Sequence, residues 1–412
     1  MRTAWIVSIG TELALGQTVD TNSAWLAQRL LRLGIRPTRH ATAADEEADI
    51  RAVLRQAADA ADLVLVTGGL GPTADDLTRH ALATVADVPL EEHAPSLAHL
   101  HAFFAARGRA MPPANAVQAL IPRGGRALPN AVGTAPGIAI TLGRTPCYAL
   151  PGVPLEMRAM FAESVEPELR AAAGGGAVLC RKLNTFGLGE SELGALIADL
   201  MARGRNPEVG TTAGYGVVGV RINAAGPDEA TARRMLDRAE AELRARLGDL
   251  VFGVDDETLA QVVGRRLKTL GRTLSVAESC TGGMIAAALT DVPGSSAYFR
   301  GGAVTYANEA KTDMLGVPAE LIALHGAVSG PVAEAMAAGA AARLGSDYSL
   351  AVTGIAGPTG GTAEKPVGLV FIGLRTPEET VVREFRFGHD APRDVIRQRA
   401  THAALNLLRL NL

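Results

Sequence analysis

Lysine is almost missing from this chain: of its 40 basic residues only Lys182, Lys268, Lys311 and Lys365 are lysine. Arginine serves wherever a positive charge suffices, so each lysine invites a search for something arginine lacks. A desolvated lysine can lose its proton and act as a base, and arginine cannot. Cysteine is equally scarce. Cys147, Cys180 and Cys280 are too widely spaced for a disulfide framework or a metal-ligand cluster, and the first two read as reduced, mostly buried thiols. No apolar run approaches the ~18 residues needed to cross a bilayer. The opening "MRTAWIVSIGTEL" reaches glycine and glutamate too early for a signal peptide, so a cytoplasmic protein with no membrane partner is expected. An excess of one charge is lacking too, since the net charge is -3. That removes the electrostatic pull toward nucleic acid.

What the chain has is length and small residues. Its 412 residues exceed what one core usually serves, and 48% hydrophobic content with 46 glycines points to layered α/β domains. Three are expected. Residues 1–170 alternate apolar strand-like runs ("TAWIVSI", "DLVLVTGG") with helical periodicity ("SAWLAQRLLRLG", "ADIRAVLRQAADA", "LTRHALATVA"). This βαβ rhythm predicts a parallel sheet covered by helices, with ligands beyond the carboxyl ends of its strands. "AAAGGGA" at 171–177 reads as a linker, and residues 177–251 follow as a small β, α, β, β, α module of KH-like pattern. Residues 181–250 hold ten Arg/Lys against ten Asp/Glu, so no basic nucleic-acid face is expected there. A spacer or dimerisation role fits better, and a homodimer is expected. Residues 255–412 begin a third α/β rhythm, from "TLSVA" through "YSLAVTG" to the closing helix "RDVIRQRATHAALNLLRL".

Glycine-rich segments fall at the predicted strand ends. In "TGGLGPTADDLT" (67–78), Gly68, Gly69 and Gly71 let backbone approach a ligand, and Thr73 to Asp76 sit where a helix would begin, a geometry that aims N–H groups at phosphate. Asp75 and Asp76 would either cap that helix or bind a divalent cation. Glu12 in "GTEL" and Glu156 in "PGVPLEM" stand on two other loops of the same edge and favour the metal reading. Asn22, in "DTNSAWLA", is read equally as a ligand contact and as a helix cap.

In the third block, "VAESCTGG" (276–283) sets Ser279, Cys280 and Thr281 between a strand and a helix expected from about Thr281. A residue there would meet a positive helix terminus, the logic of a nucleophile elbow, or would merely cap the helix. "AVTYANEAK" supplies Lys311 as a base candidate, and "VTGIAGPTGG" adds Thr353, Gly354 and Gly357 in a second glycine-rich loop. Serine with lysine replaces serine with histidine in some hydrolases.

"GGLGPTADD", "SIGTELALGQTVDTNS" and "PGVPLEM" together resemble the molybdopterin-binding-fold domain of the CinA family of competence and damage-inducible proteins. "AESCTGG", "GAVTYANEAK", "TGIAGPTGGTAEKPVG" and "RDVIRQRAT" resemble that family's C-terminal nicotinamide mononucleotide deamidase domain. The resemblance implies a molybdopterin-binding-like α/β domain, a KH-like α+β linking module and an α/β deamidase domain. It implies a bifunctional hydrolase, deamidating nicotinamide mononucleotide and cleaving ADP-ribose. Ser279 would be nucleophile, Lys311 its base and Tyr306 a hydrogen-bonding partner. Thr281, Gly282, Gly283, Thr353, Gly354, Gly357, Arg397 and Arg399 would bind substrate. Gly68, Gly69, Gly71, Thr73, Asp75 and Asp76 would line the diphosphate and metal site, with Mg²⁺ the expected cofactor there and none needed at the deamidase centre. Two other readings are that the N-terminal domain only binds a pterin phosphate, and that the chain is a non-catalytic partner in DNA uptake or recombination.

Overall fold

The computed structural model describes residues 2–172 and 176–412, so the middle of the linker read at 171–177 lies outside the described residues, while its ends belong to helix Glu166–Ala172 and strand Ala177–Phe186. The chain divides into two compact units, Met1–Leu179 with Ala224–Met235, and Cys180–Asn223 with Leu236–Leu412. Three main sheets organise it, with the mixed α/β character expected.

The first sheet runs Arg36–Ala43, Thr3–Ile9, Val64–Thr67, Thr145–Leu150, Gly137–Leu142, Arg126–Leu128. Its first four strands run parallel and its last two pairings are antiparallel, so only Gly137–Leu142 runs against the rest and the sheet is mixed rather than parallel throughout. Val64–Thr67 is buried along its whole length, because helices cover both sheet faces and a central strand has no side left for water. Helix Thr21–Arg32 starts on Asp20, whose carboxylate accepts the Ser23 amide at 3.0 Å and the Ser8 hydroxyl at 2.6 Å, and buries Leu26 and Leu30. Asn22 is therefore not its cap.

The middle sheet has the order Glu208–Gly214, Val217–Gly226, Ala177–Phe186, Val251–Val254. It keeps the expected β, α, β, β, α order with one further strand at its end, and on its strand Ala177–Phe186 Cys180 is exposed where a buried thiol was expected, whereas Cys147 is buried in the first sheet. The third sheet runs Phe299–Val304, Leu274–Glu278, Tyr348–Gly354, Leu369–Arg375, Thr380–Arg386, its first three strands parallel and its last two pairings antiparallel, so that Leu369–Arg375 alone runs against the rest. Helix Leu259–Leu270 opens with a Thr258/Gln261 capping box and closes on left-handed Gly271. It packs with helix Arg393–Leu410, whose Ile396, Ala400, Ala403, Ala404, Leu407 and Leu408 repeat at helical spacing into the core. Among the described residues no helix is long and apolar enough to cross a membrane.

Candidate functional sites

In the first sheet Ile9, Thr67 and Leu150 end at one edge, since Ser8 pairs with Thr67 and Thr67 with Leu150. The three following loops enclose a cavity of about 430 Å³ lined by Glu12, Gly68, Gly69, Gly71, Thr73, Asp75, Asp76 and Glu156. These residues, separated by up to 144 positions of sequence (Glu12 to Glu156), share one cleft. Gly68 is obligatory there: its φ is +106°, and a Cβ would meet the Ile9 carbonyl oxygen at 2.1 Å.

The glycine-rich loop differs from expectation in one respect. The helix begins only at Thr78, and Asp76 neither caps it nor points free: its carboxylate accepts the amides of Gly71 (2.7 Å) and Thr73 (2.8 Å) and the Thr73 hydroxyl. Those two amides are thus engaged by an internal anion. From beneath, buried Arg79 donates to the carbonyls of Leu70 (2.5 Å) and Gly71 (3.1 Å), and burial lowers its pKa to about 10 while nearby Asp76 opposes the drop. It still carries its charge at neutral pH. Sequence reasoning missed Arg79, and its place one turn after the aspartates was the available signal.

Asn22 lies outside the lining of this cavity. Its Nδ2 donates to Thr67 Oγ1 (3.1 Å) and the Gly152 carbonyl (2.8 Å), tying a strand end to the Gly152 loop, while its buried Oδ1 has no hydrogen-bond partner among the described residues; the helix cap is Asp20. Asp45 and Asn130 were also missed. Asp45 lines the cavity, while buried Asn130 donates to Glu156 Oε2 at 2.7 Å and fixes that carboxylate. Asp45 follows strand Arg36–Ala43, which reads as a polar run in sequence.

Among the described residues no three His, Cys, Asp or Glu side chains cluster closely enough to hold a metal ion. The donors therefore do not fit a resident protein cage.

In the third sheet Leu274–Glu278 delivers Ser279 to the corresponding edge, where its amide donates to the Val352 carbonyl at 2.9 Å. Lys311 Nζ lies 3.3 Å from Ser279 Oγ, and also faces the carbonyls of Thr305 (2.9 Å), Tyr306 (3.4 Å) and Ala307 (3.4 Å). Only 1% of Lys311 is exposed, and burial pushes its pKa below the ordinary lysine value against the raising influence of Cys280 and Glu309. Cys280 packs in the core, and burial drives its thiol up to about 12, which removes it as a thiolate.

The turn after Ser279 is not the one expected. The helix starts at Met284, not Thr281, and its first amides are already occupied: the buried Glu278 carboxylate accepts from Gly283 (3.0 Å), Ile285 (3.1 Å) and Ala286 (2.9 Å). Neither Ser279 nor Thr281 caps the helix; Gly283, at φ +94°, is the cap residue, and Gly282 at φ +60° shapes the same turn.

The remaining residues divide. The Tyr306 hydroxyl, largely exposed, accepts from Arg393 Nη2 at 2.9 Å, while Arg393 Nη1 donates to the Gly357 carbonyl at 2.6 Å. Arg393 was missed, although it opens the quoted "RDVIRQRAT". Arg397 donates to the carbonyls of Cys280 (3.1 Å) and Thr281 (2.8 Å), so it clamps the nucleophile turn where a substrate contact was expected. Arg399 turns away on the same helix and donates to the Phe387 carbonyl at 3.1 Å, so it is not brought to the site. Thr353 is buried with its hydroxyl committed to the Ala327 carbonyl at 2.7 Å, whereas Thr281 is fully buried with its hydroxyl unpartnered among the described residues. Gly354 has no room for a side chain, since a Cβ would lie 2.6 Å from Val370.

Fold and site together define a multidomain α/β protein with an acid-lined cleft in its first sheet and a buried Ser–Lys pair in its third. Sequence comparison places it further. Profiles described as "Probable molybdopterin binding domain", "Damage-inducible protein CinA KH domain" and "CinA C-terminal domain" match residues 5–171, 180–253 and 256–412. A CinA-like protein of Parasynechococcus marenigrum is 46% identical over 409 residues, covering 99% of this chain and 97% of that one. Another from Gloeobacter violaceus is 47% identical over 408 residues, 98% and 96% of the two chains. The chain belongs to the CinA family.

Proposed function

We propose that the third-sheet site is an amidase that converts nicotinamide mononucleotide and water to nicotinate mononucleotide and ammonia. The observation that carries this reading is the Ser279–Lys311 pair, a hydroxyl 3.3 Å from an amine whose pKa burial lowers. In the neutral amine the Nζ lone pair accepts the Ser279 proton as Oγ attacks the carboxamide carbon. The ammonium so formed is held by the carbonyls of Thr305, Tyr306 and Ala307, which already surround Nζ at 2.9–3.4 Å. Lys311 returns the proton to the leaving nitrogen and ammonia departs; water, deprotonated by the same amine, opens the acyl-serine ester, and the ammonium then reprotonates the departing Ser279 oxygen, restoring the hydroxyl and the neutral amine. Ammonia release from nicotinamide mononucleotide by purified protein, with and without chelator, tests this. Absence of ammonia in both conditions overturns it.

The first-sheet cleft, by the same proposal, hydrolyses ADP-ribose to AMP and ribose 5-phosphate. The specific support is a glycine-rich loop beside single carboxylates in a 430 Å³ cleft. Asp75 and Glu12 would share a divalent cation with the substrate; when bound, it would offset diphosphate charge and activate water. Glu156, fixed by Asn130, and the loop pinned by Asp76 and Arg79 would orient the substrate. Binding of a pterin phosphate without turnover is the outcome that would replace this reading.

A further inference from the structure

Lys365 is a scarce lysine that the proposed chemistry leaves without a role. It lies in "TGIAGPTGGTAEKPVG", on the excursion between strands Tyr348–Gly354 and Leu369–Arg375. The base of this excursion is closed by its own backbone: the Ile355 amide donates to the Leu369 carbonyl at 2.9 Å and the Gly368 amide to the Ile355 carbonyl at 2.8 Å. Inside it the Thr362 amide donates to the Lys365 carbonyl at 2.8 Å, and the Lys365 amide to the Thr362 hydroxyl at 3.0 Å. Such a loop with joined ends, packed on itself, belongs to a class that frequently carries function.

Two cations tie it down. Arg393 holds the Gly357 carbonyl and, through its other nitrogen, the hydroxyl of Tyr306 beside the lysine cage. At the far end Lys365 Nζ donates to the carbonyls of His325 (2.6 Å) and Val328 (2.8 Å) in the turn before helix Gly330–Leu344. That turn is the one whose Ala327 carbonyl Thr353 holds. The loop is thereby linked to both flanks of the Ser279 edge, and it leaves the same strand whose Val352 carbonyl receives the Ser279 amide.

We propose that Lys365 is a positioning residue of the amidase centre: its ammonium clips the 355–368 loop to the 325–329 turn and so fixes the wall against which substrate is bound. The role rests on the amidase reading above, but the clip itself does not. Lysine suits the place sterically. Nζ lies against left-handed Gly326, where an added Cβ would come within 2.9 Å of it, so the ammonium reaches the turn carbonyls only because residue 326 carries no side chain, and a compact point charge serves two converging carbonyls better than a planar fork does.

The test compares full-length wild type, Lys365→Met and Lys365→Arg. Two charge-assisted hydrogen bonds are lost in the methionine variant, so amide exchange at Thr362 and Gly368 is expected to quicken by roughly tenfold or more while the Leu274–Glu278 strand is unchanged. KM for nicotinamide mononucleotide should rise by a similar roughly tenfold factor with kcat within about twofold, and arginine should not restore it. Unchanged loop exchange in Lys365→Met overturns the clip. Quickened exchange with an unchanged KM, or full rescue by arginine, overturns its positioning role. A wild-type protein that releases no ammonia overturns the amidase reading, and the exchange measurement then still decides the clip.

Discussion

At the scale of single residues, the ambiguity of "ESCT" is resolved by burial and distance. Ser279 and Cys280 are equivalent in sequence as candidates at a strand end, but only the serine oxygen meets Lys311, while the thiol is packed in the core with its pKa raised to about 12. Ser279→Ala should therefore reduce ammonia release by at least about 10³-fold. Cys280→Ala should cost about 1 kcal/mol of stability and retain most turnover. An inactive but folded Cys280→Ala protein would return the thiol to first place. Lys311→Arg keeps charge but cannot accept a proton, so it should lose on the order of 10²–10⁴-fold, nearly as much as Lys311→Met. The pH dependence has a definite sign. Catalysis needs the neutral amine, so kcat/KM should climb as pH rises through the lowered Lys311 pKa and level off above it, at pH values below those of an ordinary lysine. A profile that falls across that range contradicts the base assignment.

At the scale of elements, buried strands were readable because short uninterrupted apolar runs such as "VLVT" and "LSVA" have one plausible home, the middle of a covered sheet. Strand Arg36–Ala43 was not, since its edge position leaves most of its side chains exposed and polar. The helix after Ser279 was placed three residues early. Paired glycines carry the turn through left-handed conformations, and the cap is a carboxylate from the preceding strand, which no local cap pattern announces. Glu278→Ala should destabilise the protein by about 3 kcal/mol in denaturant titration, because three amides of a buried turn lose a charged acceptor. Glu278→Gln, which keeps one acceptor oxygen, should cost less. Arg79 plays the matching part in the first sheet. Arg79→Met should loosen the 70–73 loop and depress ADP-ribose turnover at least tenfold, about 1.4 kcal/mol, with deamidation unaffected.

At the scale of the whole molecule, the two chemistries are assigned to different sheets, so they should separate genetically. Changing Asp75 and Asp76 together to alanine should abolish ADP-ribose cleavage and leave ammonia release at the wild-type rate; persistent cleavage would sink the carboxylate assignment. The boundary near Asp255 is less clean than composition suggests. Strand Val251–Val254 pairs with Ala177–Phe186, Phe252 joins the third-sheet core, and Asn184 Nδ2 donates to the carbonyls of Asp255 (2.9 Å) and Glu257 (3.0 Å). A fragment starting at Asp255 should fold and deamidate, but melt below one that starts at Cys180.

The sequence alone determined which segments are covered strands, where the glycine-rich loops fall, and that Lys311 is exceptional, because hydrophobic run length, glycine and a compositional outlier are local properties. Only the tertiary structure decided what each polar group does there. Asp76 fills the amides once assigned to phosphate, Arg397 and Arg399 point to opposite duties two residues apart on one helix, and Lys365 clips a loop 40 residues from its carbonyl partner. Hydrogen bonds and burial depend on which elements the fold brings together, and that juxtaposition is written in no single stretch of chain.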